Sequence, residues 1–163
     1  MSTTALVRAY VGLGANLGDG AATLRRVLAE LRETDGIVAV TASPFYRTAP
    51  VEATGPDFTN AVAALDTRLT PLALLDVLQA LENLHGRERP YKNAPRTLDL
   101  DLLLYGDTAL NHERLVLPHP RMHLRAFVLM PLRDLAPGLS LQGKPINDWI
   151  DAIHDQPIAR IAH

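Results

Sequence analysis

The chain has no cysteine among its 163 residues. That absence excludes disulfides, thiolate-bound metal and a cysteine nucleophile, and it leaves the compartment open. Long apolar runs are missing too, for nothing approaches the ~18 residues that a membrane span needs. Met1-Ser2-Thr3-Thr4 is polar, and the apolar stretch behind it is short and holds Arg8, so no signal peptide is read there. Charge of one sign is scarce: a formal net charge of −2 gives no global footprint for nucleic acid. Internal repeats, low-complexity linkers and a G-x-x-x-x-G-K-S/T phosphate cradle are all absent. What remains is ordinary in bulk, with 47% hydrophobic and 21% charged residues. The expectation is one domain, residues 1–163, around a single core, in the cytoplasm.

Hydrophobic periodicity orders the elements. Ala5 to Gly14 is apolar and β-prone, and Gly12-Leu13-Gly14-Ala15-Asn16-Leu17-Gly18-Asp19-Gly20 reads as a tight β-to-α turn with Asp19 as a cap. The pattern G-x-G-x-x-x-G departs from the dinucleotide fingerprint, and Asp35 precedes the second strand instead of ending it. Leu24, Val27, Leu28 and Leu31 recur at helical spacing within Ala22 to Arg32. Ile37 to Tyr46 and Phe58 to Leu69 read as strands. Thr70-Pro71 starts a helix that Gly86 ends. Arg87 to Pro95 is polar, with two prolines and no period, and is expected to be a mobile loop. A strand follows it. Short extended pieces lie near Ala109-Leu110 and Leu115 to Pro120, and helices at Ala126 to Leu135 and Ile146 to Ile153. The order β-α-β-β-α-β predicts a ferredoxin-like α+β domain. Past Gly138 no motif is legible.

The sequence is densest in chemistry at Asp99-Leu100-Asp101-Leu102-Leu103-Leu104. Strand side chains alternate, so Asp99 and Asp101 share a face, roughly 6–7 Å apart at their Cα atoms. Leu98, Leu100, Leu102 and Leu104 are expected to face a core. Two like charges on one face attract a hard divalent cation such as Mg²⁺, which completes its shell with water and phosphate oxygens. A solvated acidic face is the plainer alternative. The surroundings favour the metal, because Arg87, Arg89, Lys92 and Arg96 precede the strand, and Arg114, Arg121, Arg125, His119 and His123 follow it. Arginines beside a divalent metal suit a polyphosphate. Phe58 and Asn60 share a strand face after Thr48 and Val51, which suits stacking and pairing of a flat heterocycle.

Three segments together carry a resemblance: Gly86-Arg87; Lys92-x-Ala94-Pro95-Arg96-x-x-Asp99-Leu100-Asp101-Leu102-Leu103; and Pro118-His119-Pro120-Arg121-Met122-His123-x-Arg125-Ala126-Phe127. With Gly12-x-Gly14-x-Asn16-Leu17-Gly18 and Phe45-Tyr46-Arg47-Thr48-x-Pro50, the chain resembles the 6-hydroxymethyl-7,8-dihydropterin pyrophosphokinase family from about Ala9 to Gly138. The resemblance implies transfer of pyrophosphate from ATP to the pterin hydroxymethyl group, in folate biosynthesis. It also implies a three-layer α/β/α sandwich with a mainly antiparallel sheet. Two Mg²⁺ ions would sit on Asp99 and Asp101, and Arg87 and Arg96 would grip the transferring phosphates. Gln79, Glu82, Arg89, Arg114, His119 and Arg125 fall where the family contacts ATP. Thr48, Val51, Phe58, Asn60 and Phe127 fall where it holds the pterin. Asn93 stands where better-known members carry a Trp, so no role passes to Tyr91 or Lys92. The expected partners are ATP and the hydroxymethyl-dihydropterin, with no nucleic acid, no membrane and no obligate protein. A ferredoxin-like nucleic-acid-binding module, with arginines on phosphates and aromatics on bases, is the alternative.

Overall fold

A computed structural model of the chain describes residues 3–15, 20–48, 58–86, 98–153, 155, 156 and 158–161. Its elements run β1 (Thr3–Ala15), α1 (Gly20–Arg32), β2 (Ile37–Ala42), β3 (Tyr46–Thr48), β4 (Phe58–Leu69), α2 (Pro71–Gly86) and β5 (Asp99–Tyr105). After them come β6 (Leu110–His112), β7 (Leu115–Leu117), a 3-10 turn (Met122–Leu124) and α3 (Ala126–Leu135). The last elements among the described residues are β8 (Ser140–Leu141), β9 (Lys144–Pro145), α4 (Ile146–Ala152) and β10 (Ala159–Arg160).

The main sheet has the order β10-β3-β4-β1-β5, with β2 also paired to β4, and every pairing is antiparallel. A doubly wound parallel sheet is thereby excluded, and the α+β expectation holds. Helices α1 and α2 cover one face. There Leu24, Val27, Leu28 and Leu31 meet Leu74, Leu78, Leu98, Leu100 and Leu102. On the other face Val62 and Leu103 pack under Val128, Leu129, Leu132 and Ile146 of α3 and α4. The result is three layers with two hydrophobic clusters, where the sequence led us to expect one core. Each buried leucine contributes about 1.5–3 kcal/mol, and both clusters grip the same strands.

Local chemistry explains most boundaries. Thr70 Oγ1 accepts the Ala73 N–H at 3.2 Å, the cap expected for α2. The predicted strand Ile37 to Tyr46 is two strands, because Pro44 has no N–H to give the ladder. Ser43 turns the chain there: its N–H donates to the Val62 carbonyl at 2.8 Å and its hydroxyl accepts the Val62 N–H at 3.0 Å. Leu104 also differs from expectation. The β1–β5 register shifts between Tyr10 and Val11, so Leu103 and Leu104 both reach the α3 side while Leu98, Leu100 and Leu102 face α1 and α2. One inserted residue reverses the alternation. Gly12 and Gly14 belong to β1 and not to a turn. The Asp19 cap and the loop from Arg87 to Pro95 lie outside the described residues. No helix among the described residues is long and apolar enough to cross a membrane.

Candidate active site

Register brings the chemistry together. Thr48 lies opposite Phe58, Asn60 opposite Gly14, Gly14 opposite Asp99, and Gly12 opposite Asp101. Directly opposed residues in antiparallel strands share a face. All seven therefore line one face of the sheet, beyond the part that α3 covers. Above them stand Leu124, Arg125, Ala126 and Phe127, where the 3-10 turn meets α3, and Gln156, which follows α4. Between floor and roof lies a cavity of about 700 Å³, well within the size range of small-molecule sites.

The two glycines make the floor open. A Cβ on Gly14 would sit 3.0 Å from Asn60 Oδ1, closer than carbon and oxygen pack comfortably. Asn60 itself is buried, and its Nδ2 donates to Thr48 Oγ1 at 2.7 Å. That bond orients the amide, using one of its two N–H donors, and Oδ1 lies beside Gly14 as an acceptor at the cavity wall. Phe58 is on the floor and Phe127 in the roof, so aromatic faces are available from two sides. The Arg125 guanidinium lies over the Phe127 ring, 5.5 Å from its centroid.

Asp99 and Asp101 are half-buried and both line the cavity. Their donor set is all oxygen, as a hard divalent cation prefers. Among the described residues no cluster of three or more His, Asp or Glu side chains forms a cage. Two carboxylates on one strand face leave coordination positions for water and phosphate oxygens, and this all-oxygen pair fits Mg²⁺.

His119 lies near Asp101, outside the residues that line the cavity. Its N–H donates to the Leu103 carbonyl at 2.9 Å, which anchors it to β5. Burial lowers its imidazole pKa from the ordinary 6.5; nearby Asp101 opposes the shift, and Arg125 and Arg121 add to it. Nδ1 accepts the Arg121 N–H at 3.1 Å, so the neutral ring carries its proton on Nε2 and can only donate there.

Other expected ATP contacts lie elsewhere. Arg114 Nη2 donates to Asp76 Oδ1 at 2.6 Å and to Gln79 Oε1 at 3.1 Å, a group on the exposed side of α2 outside the cavity lining. Glu82 Oε2 accepts the Leu100 N–H at 2.8 Å, which pins α2 to the edge strand between the two aspartates. Val51, Arg87, Arg89 and Arg96 lie outside the described residues. Sequence reasoning missed Gly12 and Gly14 as floor residues and Gln156 altogether. Pairing of the G-x-G with the D-x-D across two strands was the available signal for the glycines, since both motifs have period two.

The model of the family "7,8-dihydro-6-hydroxymethylpterin-pyrophosphokinase (HPPK)" matches residues 10–137. A 2-amino-4-hydroxy-6-hydroxymethyldihydropteridine pyrophosphokinase of Methylorubrum extorquens is 42% identical over 157 residues, covering 96% of this chain and 99% of the relative. A protein of the same name from Pseudomonas aeruginosa is 44% identical over 156 residues, covering 94% of this chain and 96% of the relative. In fold, the chain is similar to a Plasmodium falciparum HPPK-DHPS crystal structure, with TM-score 0.71 and 15% identity over 91% of this chain. It spans only 46% of that longer protein. Together with the antiparallel three-layer fold, these matches show that the chain belongs to the 7,8-dihydro-6-hydroxymethylpterin-pyrophosphokinase family.

Proposed function

We propose that the cavity over Asp99 and Asp101 is where this pyrophosphokinase brings its two substrates together. The enzyme transfers pyrophosphate from ATP to 6-hydroxymethyl-7,8-dihydropterin, giving the pterin diphosphate and AMP, in folate biosynthesis. A nucleic-acid-binding role finds no support. The residue assignment rests on one observation: the carboxylate pair shares a single cavity with Thr48, Phe58, Asn60 and Phe127.

In this reading Phe58 and Phe127 hold the flat ring between them, with Val51 beside it. Asn60 Oδ1, which lies at the cavity wall beside Gly14, accepts a ring N–H while one Nδ2 hydrogen is held by Thr48. Asp99 and Asp101 would hold two Mg²⁺ ions, which would supply charge neutralisation for the phosphates and acidify the attacking hydroxyl. Arg87 and Arg96 grip the transferring phosphates. His119 Nε2–H donates to a phosphate oxygen, and Arg125 places positive charge between ring and phosphates. Gln79, Glu82, Arg89 and Arg114 border the nucleotide. Arg114 leaves Asp76 to do so, at small cost for an exposed pair. The pterin hydroxyl oxygen attacks the β-phosphorus in line, the bond from that phosphorus to the α–β bridging oxygen breaks, that oxygen leaves on AMP, and the hydroxyl proton passes to water. The enzyme works in the cytoplasm on small molecules, without an obligate protein partner.

Incubation with ATP, Mg²⁺ and the pterin alcohol is expected to release AMP mole for mole with pterin diphosphate, and none without the pterin. Release of ADP, or AMP formation indifferent to the pterin, overturns the reading.

A further inference from the structure

The roof of the cavity raises a mechanical question. Arg125 has an extended backbone, φ −126° and ψ 115°, wedged between the 3-10 turn and α3. No side chain of its own caps the helix that follows. The first N–H groups of a helix have no partner inside it, and the Ala126 N–H is one of them. A residue 30 positions away supplies the partner: Gln156 Oε1 accepts the Ala126 N–H at 2.8 Å. The same amide reaches two residues further back, and its Nε2 donates to the Leu124 carbonyl at 3.0 Å. Only one orientation of the amide satisfies both groups. Gln156 therefore brackets Arg125 as a neighbouring strand would, holding the peptide groups on either side.

Gln156 is itself firmly placed. Its N–H donates to the Ile153 carbonyl at 3.1 Å, which closes the turn after α4. Ile146, Trp149, Ile150 and Ile153 anchor that turn in the cluster beneath α3. Beyond it, β10 pairs with β3, the strand that carries Thr48. Gln156 also lines the cavity. We infer that Gln156 is a positioning residue that fixes the roof, holding Arg125 and Phe127 over the floor for the pterin. The inference rests on the functional reading above.

Its test separates positioning from plain stability. Gln156→Ala is expected to raise the pterin dissociation constant and KM about tenfold, the effect of about one lost neutral hydrogen bond. At saturation kcat stays within about threefold, because a loosened roof weakens ring binding alike in the ground state and the transition state. Thr70→Ala removes a cap bond of the same kind from α2 and is expected to lower Tm without moving either constant. Gln156→Met keeps the bulk and loses both bonds; it should behave as Gln156→Ala, and it takes over if the alanine variant does not fold. Pterin affinity equal to wild type in the variant, or an equal loss in Thr70→Ala, overturns the inference while the functional reading stands. A wild-type protein that binds no pterin overturns both.

Discussion

The two faces of the main sheet are made by the same strands and end up opposite in character. On β5, Leu98, Leu100 and Leu102 go to one face, and Asp99 and Asp101 to the other. On β4 and β1 the closed face has Ala61, Ala63, Leu65, Val11 and Leu13, while the other has Asn60, Gly12 and Gly14. Two helices seal the first face along its length. The second is sealed by α3 and α4 over only part of its area, and the cavity is the remainder. Closing a face requires only apolar side chains at period two. Leaving a shaped space requires subtraction below, by glycines, and a roof tied down from a distance, by Gln156.

Substitutions on each face should break this contrast in different ways. The largest effect is expected from Asp99→Ala or Asp101→Ala, which should cut kcat by at least about 100-fold with the circular-dichroism melt nearly unchanged. Near-normal turnover in either would remove the metal role from the strand. Next, Leu100→Ala on the sealed face should cost about 2–5 kcal/mol in denaturant unfolding and leave kcat of the folded fraction intact. A smaller effect is expected at the floor: Gly14→Ala crowds Asn60 Oδ1 and should weaken pterin binding by about 1–3 kcal/mol, as overpacking does. A null calorimetric result would mean that Asn60 yields freely.

The smallest effect is a proton. The His119 imidazole is expected to titrate below 6.5 in the ligand-free protein, as its burial dictates. Its folded pKa is the lower one, so its contribution to stability is present above the unfolded value and is lost as pH falls through the folded one. An NMR titration at or above the ordinary value would place His119 in solvent and detach it from the site.

Legibility followed range. Thr70-Pro71 and Gly86 bound α2 as read, and Ala126–Leu135 matches its expected span, because caps and breakers act within a turn or two. The shared face of Asp99 and Asp101 was legible for the same reason. Leu104 was misplaced because the bulge beside it is a property of two strands, not one. Ser43-Pro44 looked like a strand interior until Val62 supplied its hydrogen bonds. Gln156 gave no signal at all. Glutamine in a polar tail is ordinary, and its partners at Leu124 and Ala126 are 32 and 30 residues away.

From the sequence alone came the shared face of Asp99 and Asp101, the opposite face of Leu98, Leu100 and Leu102, and the motif set that marks a pyrophosphokinase, since alternation and short spacings are written in neighbouring residues. Tertiary structure alone decided which face would stay open, how β1 aligns its glycines with the aspartates, and what holds the roof. Those depend on register and on bonds between distant segments. Local dihedral preferences carry no record of either.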